Sequence, residues 1–215
     1  MHNPSNIFWI ILSWYILFVF QNAIPWKKEF HSPKTDIAKN LIATIILCLP
    51  LVLFHRNWSH VVAWPQFQAP AQKIILVLLA TATVIVAWRH ASKMSKISGL
   101  LPDATFSQTI FYLATRAIFV VVYECFFRGL LLFCFIYAFD VATAVVVNIF
   151  LYVLAHISKK RSEIIACIPF GLVLCGITIW HRSVLPAVAL HLALAMVHET
   201  WLICFANPSP KIQHI

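Results

Sequence analysis

Glycine is scarce in this chain, four in 215 residues, and so is acidic charge, with seven Asp and Glu in all. So little glycine excludes collagen-like repeats and flexible Gly/Ser polymer. Asp, Glu, Lys and Arg make up only 11% of the residues against 61% apolar, whereas an average soluble domain is about 25% charged and about 45–50% apolar. With a mean hydropathy of +0.86, that balance excludes both disorder and an ordinary soluble domain. There is no CxxC and no HExxH, so the common zinc and dithiol signatures are missing. The six cysteines, Cys48, Cys125, Cys134, Cys167, Cys175 and Cys204, all sit inside apolar runs and read as small apolar fillers. No basic stretch precedes the run Ile7–Phe20 and no small-residue cleavage site follows it, so a retained first span is expected there rather than a signal peptide.

Long apolar runs are what the chain has instead. Sixteen Lys and Arg give a formal charge of +9, which in a soluble protein would suggest nucleic acid. Here the basic residues lie between apolar blocks, the pattern of a chain that crosses a membrane repeatedly, and no nucleic-acid partner is expected. The blocks are Ile7–Phe20, Ile37–Phe54, Ile74–Trp88, Phe106–Phe139, Val141–Ala155, Ile164–Trp180 and Leu185–Phe205. Alternating ten-residue strands are absent, so the blocks are read as helices whose backbone is satisfied internally. About seven to eight membrane helices in one all-α polytopic bundle are expected. The fourth block is too long for one ordinary span: about 34 residues at about 1.5 Å each reach about 50 Å, against a hydrocarbon core of about 30 Å. Gly129 marks the expected bend, unless the first turns lie along the membrane surface.

Loop charge predicts the topology. Lys27, Lys28, Lys34, Lys39, Arg89, Lys93, Lys96, Lys159, Lys160, Arg161 and Lys211 all fall on one side, against Arg56, Lys73 and Arg182 on the other. The positive-inside rule then puts the C-terminus in the cytoplasm, provided the fourth block crosses once. By organisation, residues 1–104 are membrane helices without recognisable chemistry, 105–205 form the core, and 206–215 are a short polar tail. Oligomeric state is not legible, since no small-xxx-small stripe stands out.

Polar residues inside such blocks are costly and usually face a cavity. The fourth block carries Arg116, Glu124 and Arg128; the fifth carries Asn148 and Tyr152 and ends at His156; the last carries His191, His198 and Glu199. Glu124 and Arg128 are i,i+4 and can pair on one side of a helix. Asn148, Tyr152 and His156 form one stripe, and His191 and His198 share a face two turns apart. The group suits proton transfer or metal binding. Each member also has a plainer reading: Glu124–Arg128 as a packing pair, His198 as hydrogen-bonding glue, and Arg116 and Glu199 as side chains snorkelling to an interface.

The string Tyr123-Glu124-Cys125-Phe126-Phe127-Arg128-Gly129, followed by Leu130-Leu131-Leu132, resembles the first motif of the CPBP family, Glu-Glu-x-x-x-Arg. That family comprises CAAX prenyl endopeptidases, bacteriocin-processing enzymes and bacterial relatives. Tyr152-Val153-Leu154-Ala155-His156 is similar to its Phe-x-x-x-His motif, and His191-Leu192-Ala193-Leu194-Ala195 to its His-x-x-x-Asn motif. Phe170-Gly171 to Gly176 and Ser183–Ala187 resemble the approach to the last histidine, so that the likeness covers about residues 105–205. The resemblance implies a membrane-embedded endopeptidase of glutamate type in a bacterial inner membrane, cutting a membrane-associated peptide or protein with activated water. No cofactor is implied.

Carried over by position, the water-activating pair falls on Tyr123 and His156, the oxyanion pair on His191 and Ala195, and the supporting pair on Glu124 and Arg128. Two of these depart from the family. A phenol with a pKa near ~10 is a poor base at neutral pH, and alanine has no side-chain donor for an oxyanion. The expected working set is therefore Glu124, His156 and His191 as catalytic residues, with Arg128, Tyr123, Tyr152 and His198 in support. In that set Glu124 and His156 activate water, and His198 replaces the donor missing at Ala195. Two alternatives stand beside it: zinc held by Glu124, His156, His191 and His198, and a catalytically impaired member that binds a membrane partner without cutting.

Overall fold

The computed structural model describes residues 4–23, 33–65, 67, 69–94 and 104–205. The expected polar tail, with Lys27, Lys28, Lys96 and Lys211, lies outside the described residues. Within them every regular element is helical. The helices are α1 (Pro4–Ala23), α2 (Pro33–Leu53), the short α3 (His55–Trp58) with a 3₁₀ turn after it (Ser59–Val62), α4 (Pro70–Met94), α5 (Phe106–Glu124), α6 (Leu132–Ala138), α7 (Val141–Leu154), α8 (Arg161–His181) and α9 (Leu185–Phe205). Five stretches are long and apolar enough to span a membrane: Lys34–Leu53, Pro70–Lys93, Phe106–Ala138, Arg161–His181 and Leu185–Phe205. Two shorter apolar stretches, Ile11–Phe20 and Val141–Leu154, bring the bundle to the expected architecture. The protein is an all-α polytopic integral membrane protein.

The long fourth block is one unbroken rod. Thr105 starts it with a reciprocal cap, its hydroxyl accepting the Gln108 N–H while its own N–H donates to Gln108 Oε1. The rod does not kink to a stop at Gly129. Instead Cys125–Leu131 widens into a π-helical segment between α5 and α6, closed by the Leu132 N–H donating to the Phe127 carbonyl. Such segments hold an extra residue and recur at functional sites. Because helix runs continuously from Phe106 to Ala138, the chain has no place there to turn back.

The other helices gather around this rod. α2 and α9 pack along α5, α1 lies on α2, α4 covers α9, and α8 fills the space between α7 and α9. α7 follows at once, capped by the Asp140 carboxylate, which accepts from the Ala142 and Thr143 N–H groups and from the Thr143 hydroxyl. The Thr143 hydroxyl holds the Asp140 carboxyl below the usual carboxylate range. At about 1.5 Å per residue, the 14 residues of α7 fall short of a ~30 Å core. A turn that carries His156 closes it.

A brace from the N-terminal part steadies the middle. The Trp58 indole N–H donates to the Leu51 carbonyl at 2.9 Å, and its ring faces Gly129. A Cβ on Gly129 would lie 3.1 Å from that ring, so glycine is needed there for close approach. The Val61 and Ala63 carbonyls accept from the Val184 N–H at 2.8 Å and the Ser183 hydroxyl at 2.7 Å. They clamp the α8–α9 turn, where Arg182 takes the left-handed φ of 48°. Gly129→Val is expected to cost about 1–3 kcal/mol by overpacking, read as a lower midpoint of thermal unfolding in detergent. In the double variant with Trp58→Ala the two losses should sum to less than additivity.

Candidate active site

Three buried charged or polar groups meet where α5 passes into the π segment. Glu124 and Arg128 are fully buried, and Tyr123 is 3% exposed. Glu124 Oε1 is 2.5 Å from His191 Nδ1 on α9, and Glu124 Oε2 is 3.4 Å from Arg128 Nε. One carboxylate thus holds both an imidazole from another helix and a guanidinium from the next turn of its own. With Glu124 ionised, its oxygens only accept, so the hydrogen on His191 sits at Nδ1 and Nε2 keeps its lone pair. The Arg128 guanidinium carbon lies 4.3 Å from the centre of the Tyr152 ring, a cation–π contact that partly offsets the burial of its nitrogens, none of which has a hydrogen-bond partner.

The second histidine is oriented independently. His156 Nδ1 donates to the Tyr152 carbonyl at 2.9 Å, which again leaves Nε2 as the free nitrogen. Between the two imidazoles stands the Tyr123 ring, edge to face with both, at centroid separations of 6.2 Å from His156 and 5.9 Å from His191. It stacks on Phe127 at 4.5 Å, and its hydroxyl is buried without a hydrogen-bond partner. Phe170 of α8 closes the far side of His191. Ala195 is buried and supplies no donor.

The expected set therefore comes together only in part. Glu124, Arg128, His156, His191, Tyr123 and Tyr152 share one site, but the carboxylate reaches His191 rather than His156. His198, two turns along α9 from His191, has its Nε2 3.0 Å from His90 Nδ1 of α4. Among the described residues no three His, Cys, Asp or Glu side chains are grouped as a metal would need. Arg116 and Glu199 do not snorkel singly; they pair across α5 and α9 at 2.7 Å.

Some contributors escaped the sequence reading. Phe18 of α1 lies 5.9 Å from the Tyr123 ring, and the Tyr15 hydroxyl donates to the Leu151 carbonyl at 2.5 Å, so α1 roofs the site from the N-terminal part. The buried stripe Ile11–Tyr15–Phe18, at i, i+4, i+7, was the available signal. Removing the partnerless hydroxyl should relieve a desolvation penalty of about 1–3 kcal/mol. Tyr123→Phe is therefore expected to raise the midpoint of thermal unfolding; an unchanged or lowered midpoint would mean that the hydroxyl is satisfied.

The comparisons with known proteins fall on this same stretch. Residues 104–197 match the family described as Type II CAAX prenyl endopeptidase Rce1-like. No curated protein matches the chain, and no solved structure does. The matched stretch starts at the cap of α5 and ends in α9, so it holds Tyr123, Glu124, Arg128, Tyr152, His156 and His191, and through this core the chain is similar to CAAX-type membrane peptidases.

Proposed function

We propose that the protein is a membrane-embedded peptidase that cuts a membrane-associated peptide or protein, with His191 as the base that activates water. The observation that carries this is the 2.5 Å contact between Glu124 Oε1 and His191 Nδ1. A carboxylate behind an imidazole fixes its tautomer and stabilises the imidazolium formed when it takes a proton. Imidazole, with an ordinary pKa of about 6.5, suits base catalysis near neutrality in a way that phenol does not.

In this reading water adds to the scissile carbonyl carbon and gives its proton to His191 Nε2. The oxygen that becomes negative takes a hydrogen bond from the Tyr123 hydroxyl, which has no other partner and stands in for the donor that Ala195 lacks. The C–N bond then breaks, the proton passes from His191 to the departing amine, and a carboxylate and an amine leave. Arg128 balances the charge on Glu124, and the neutral Nε2 of His156 accepts a hydrogen bond from substrate N–H or from water. The peptide reaches the site from the bilayer. The chain sits in a bacterial inner membrane with its C-terminus in the cytoplasm, a reading supported by the loop charges and by the unbroken helix Phe106–Ala138.

The position of the Tyr123 ring between the two histidines favours a second reading, a binder that holds a membrane peptide without cutting it. Purified protein in nanodiscs, offered a library of membrane-anchored peptides, separates the two. The peptidase reading expects cleavage by the wild type, a fall of about 10⁴ in Glu124→Gln by loss of the oriented tautomer, and a fall of about 10²–10³ in Tyr123→Phe by loss of one oxyanion donor. No cleavage by the wild type overturns it. Activity that appears only in Tyr123→Glu would establish the binder.

A further inference from the structure

The π segment follows directly on Glu124, and one buried side chain from another helix is bonded to its backbone. Asn148 of α7 is fully buried. Its Nδ2 donates to the Phe127 carbonyl at 2.7 Å, the same carbonyl that takes the Leu132 N–H and so closes the wide turn. Its Oδ1 accepts from the Cys175 thiol of α8 at 3.3 Å, which fixes the amide so that its NH₂ faces the π segment. The amide serves both neighbours, because it offers a donor and an acceptor on one short side chain.

The extra residue in this segment sets the rotation of α5 about its axis. Were the turn to relax to α geometry, the helix before it would rotate relative to α6 by roughly one residue, about 100°. That is also the angle between neighbours such as Tyr123 and Glu124. The relaxed rod would carry Glu124 away from His191. The wide turn therefore sets which face of α5 is turned to the site, and its stability against relaxation rests on what holds the Phe127 carbonyl.

We infer that Asn148 is a positioning residue: it locks the π segment and so holds Glu124 in register with His191. The inference rests on the Glu124–His191 contact and deepens the peptidase reading, but its test needs no peptide cleavage. In protein labelled with ¹⁵N-histidine in nanodiscs, an imidazole N–H held 2.5 Å from a carboxylate gives a proton signal far downfield, assigned by its loss in His191→Ala. Asn148→Leu, which keeps the volume and removes the donor, is expected to lose that signal while the helical circular dichroism stays. Cys175→Ala, which frees the amide to flip, should weaken it. Glu199→Gln removes the separate Arg116–Glu199 pair, also between α5 and α9, and should keep the signal.

A signal that survives Asn148→Leu overturns the inference, and so does one lost equally in Glu199→Gln, since the effect would then be general loosening. Should Asn148→Leu fail to fold, the comparison of Cys175→Ala with Glu199→Gln decides. If the protein cleaves peptides, Asn148→Leu should lower kcat with little change in KM. A wild type that never cleaves but shows this pattern of signals refutes the peptidase reading and leaves the role of Asn148 standing.

Discussion

The Glu124 carboxylate is the constraint around which the bundle is arranged. It is fully buried between His191 and Arg128, in a protein whose surroundings are lipid. A buried charge stripped of its partners costs several kcal/mol, so the helices that supply those partners must stay in place. α9 brings the imidazole, and the π segment brings the guanidinium. α7 brings the Tyr152 ring beneath that guanidinium, and Gly171 of α8 leaves room for both, since a Cβ there would lie 3.3 Å from Tyr152 and 3.5 Å from Arg128 Nη2. In lipid, helices gain little from hiding apolar surface from one another, and packing with polar contacts decides which pair. Here one carboxylate ties two of them directly and a third through an arginine.

Most of the fold was legible in the sequence because its apolar blocks are long and free of charge. The i,i+4 spacing of Glu124 and Arg128 also predicted a pair that the structure contains. Less legible was anything that depended on which helix lies next to which. Arg116 and Glu199 looked like separate side chains reaching for an interface, yet they find each other across α5 and α9. His198 shares a face of its helix with His191, but α4 lies beside it and His90 takes the bond. Gly129 drew attention as a hinge, as glycine in a helix does, whereas it serves close approach of the Trp58 ring. A π turn has no marker in periodicity over so short a stretch. Its trace is Asn148, a buried amide in a helix otherwise almost wholly apolar.

Tyr123 shows how stability and chemistry diverge at one position. Its ring is surrounded by Phe18, Phe119, Phe127 and Tyr152, which is good packing for an aromatic body. Its hydroxyl gains nothing from that packing and is left without a partner. A group that a protein carries at a cost to its fold is a candidate for work that the fold does not need. The same reasoning does not extend to Ala195, where a small apolar residue is simply compatible with the core.

Charge balance explains why a phenol can stand where the family motif has its leading glutamate. Among the described residues the buried carboxylate–arginine pairs are one to one: Glu124 with Arg128, and Glu199 with Arg116. A second ionised carboxylate beside Glu124 would add negative charge to a site whose first carboxylate already faces Arg128. In lipid that excess charge is far more costly than in water. A tyrosine keeps the interior neutral and fills the same space, but it gives up the base. On the proposed reading the task then falls to the imidazole that the remaining carboxylate already holds, so that the neutrality of the site and the base proposed at His191 are two consequences of one substitution.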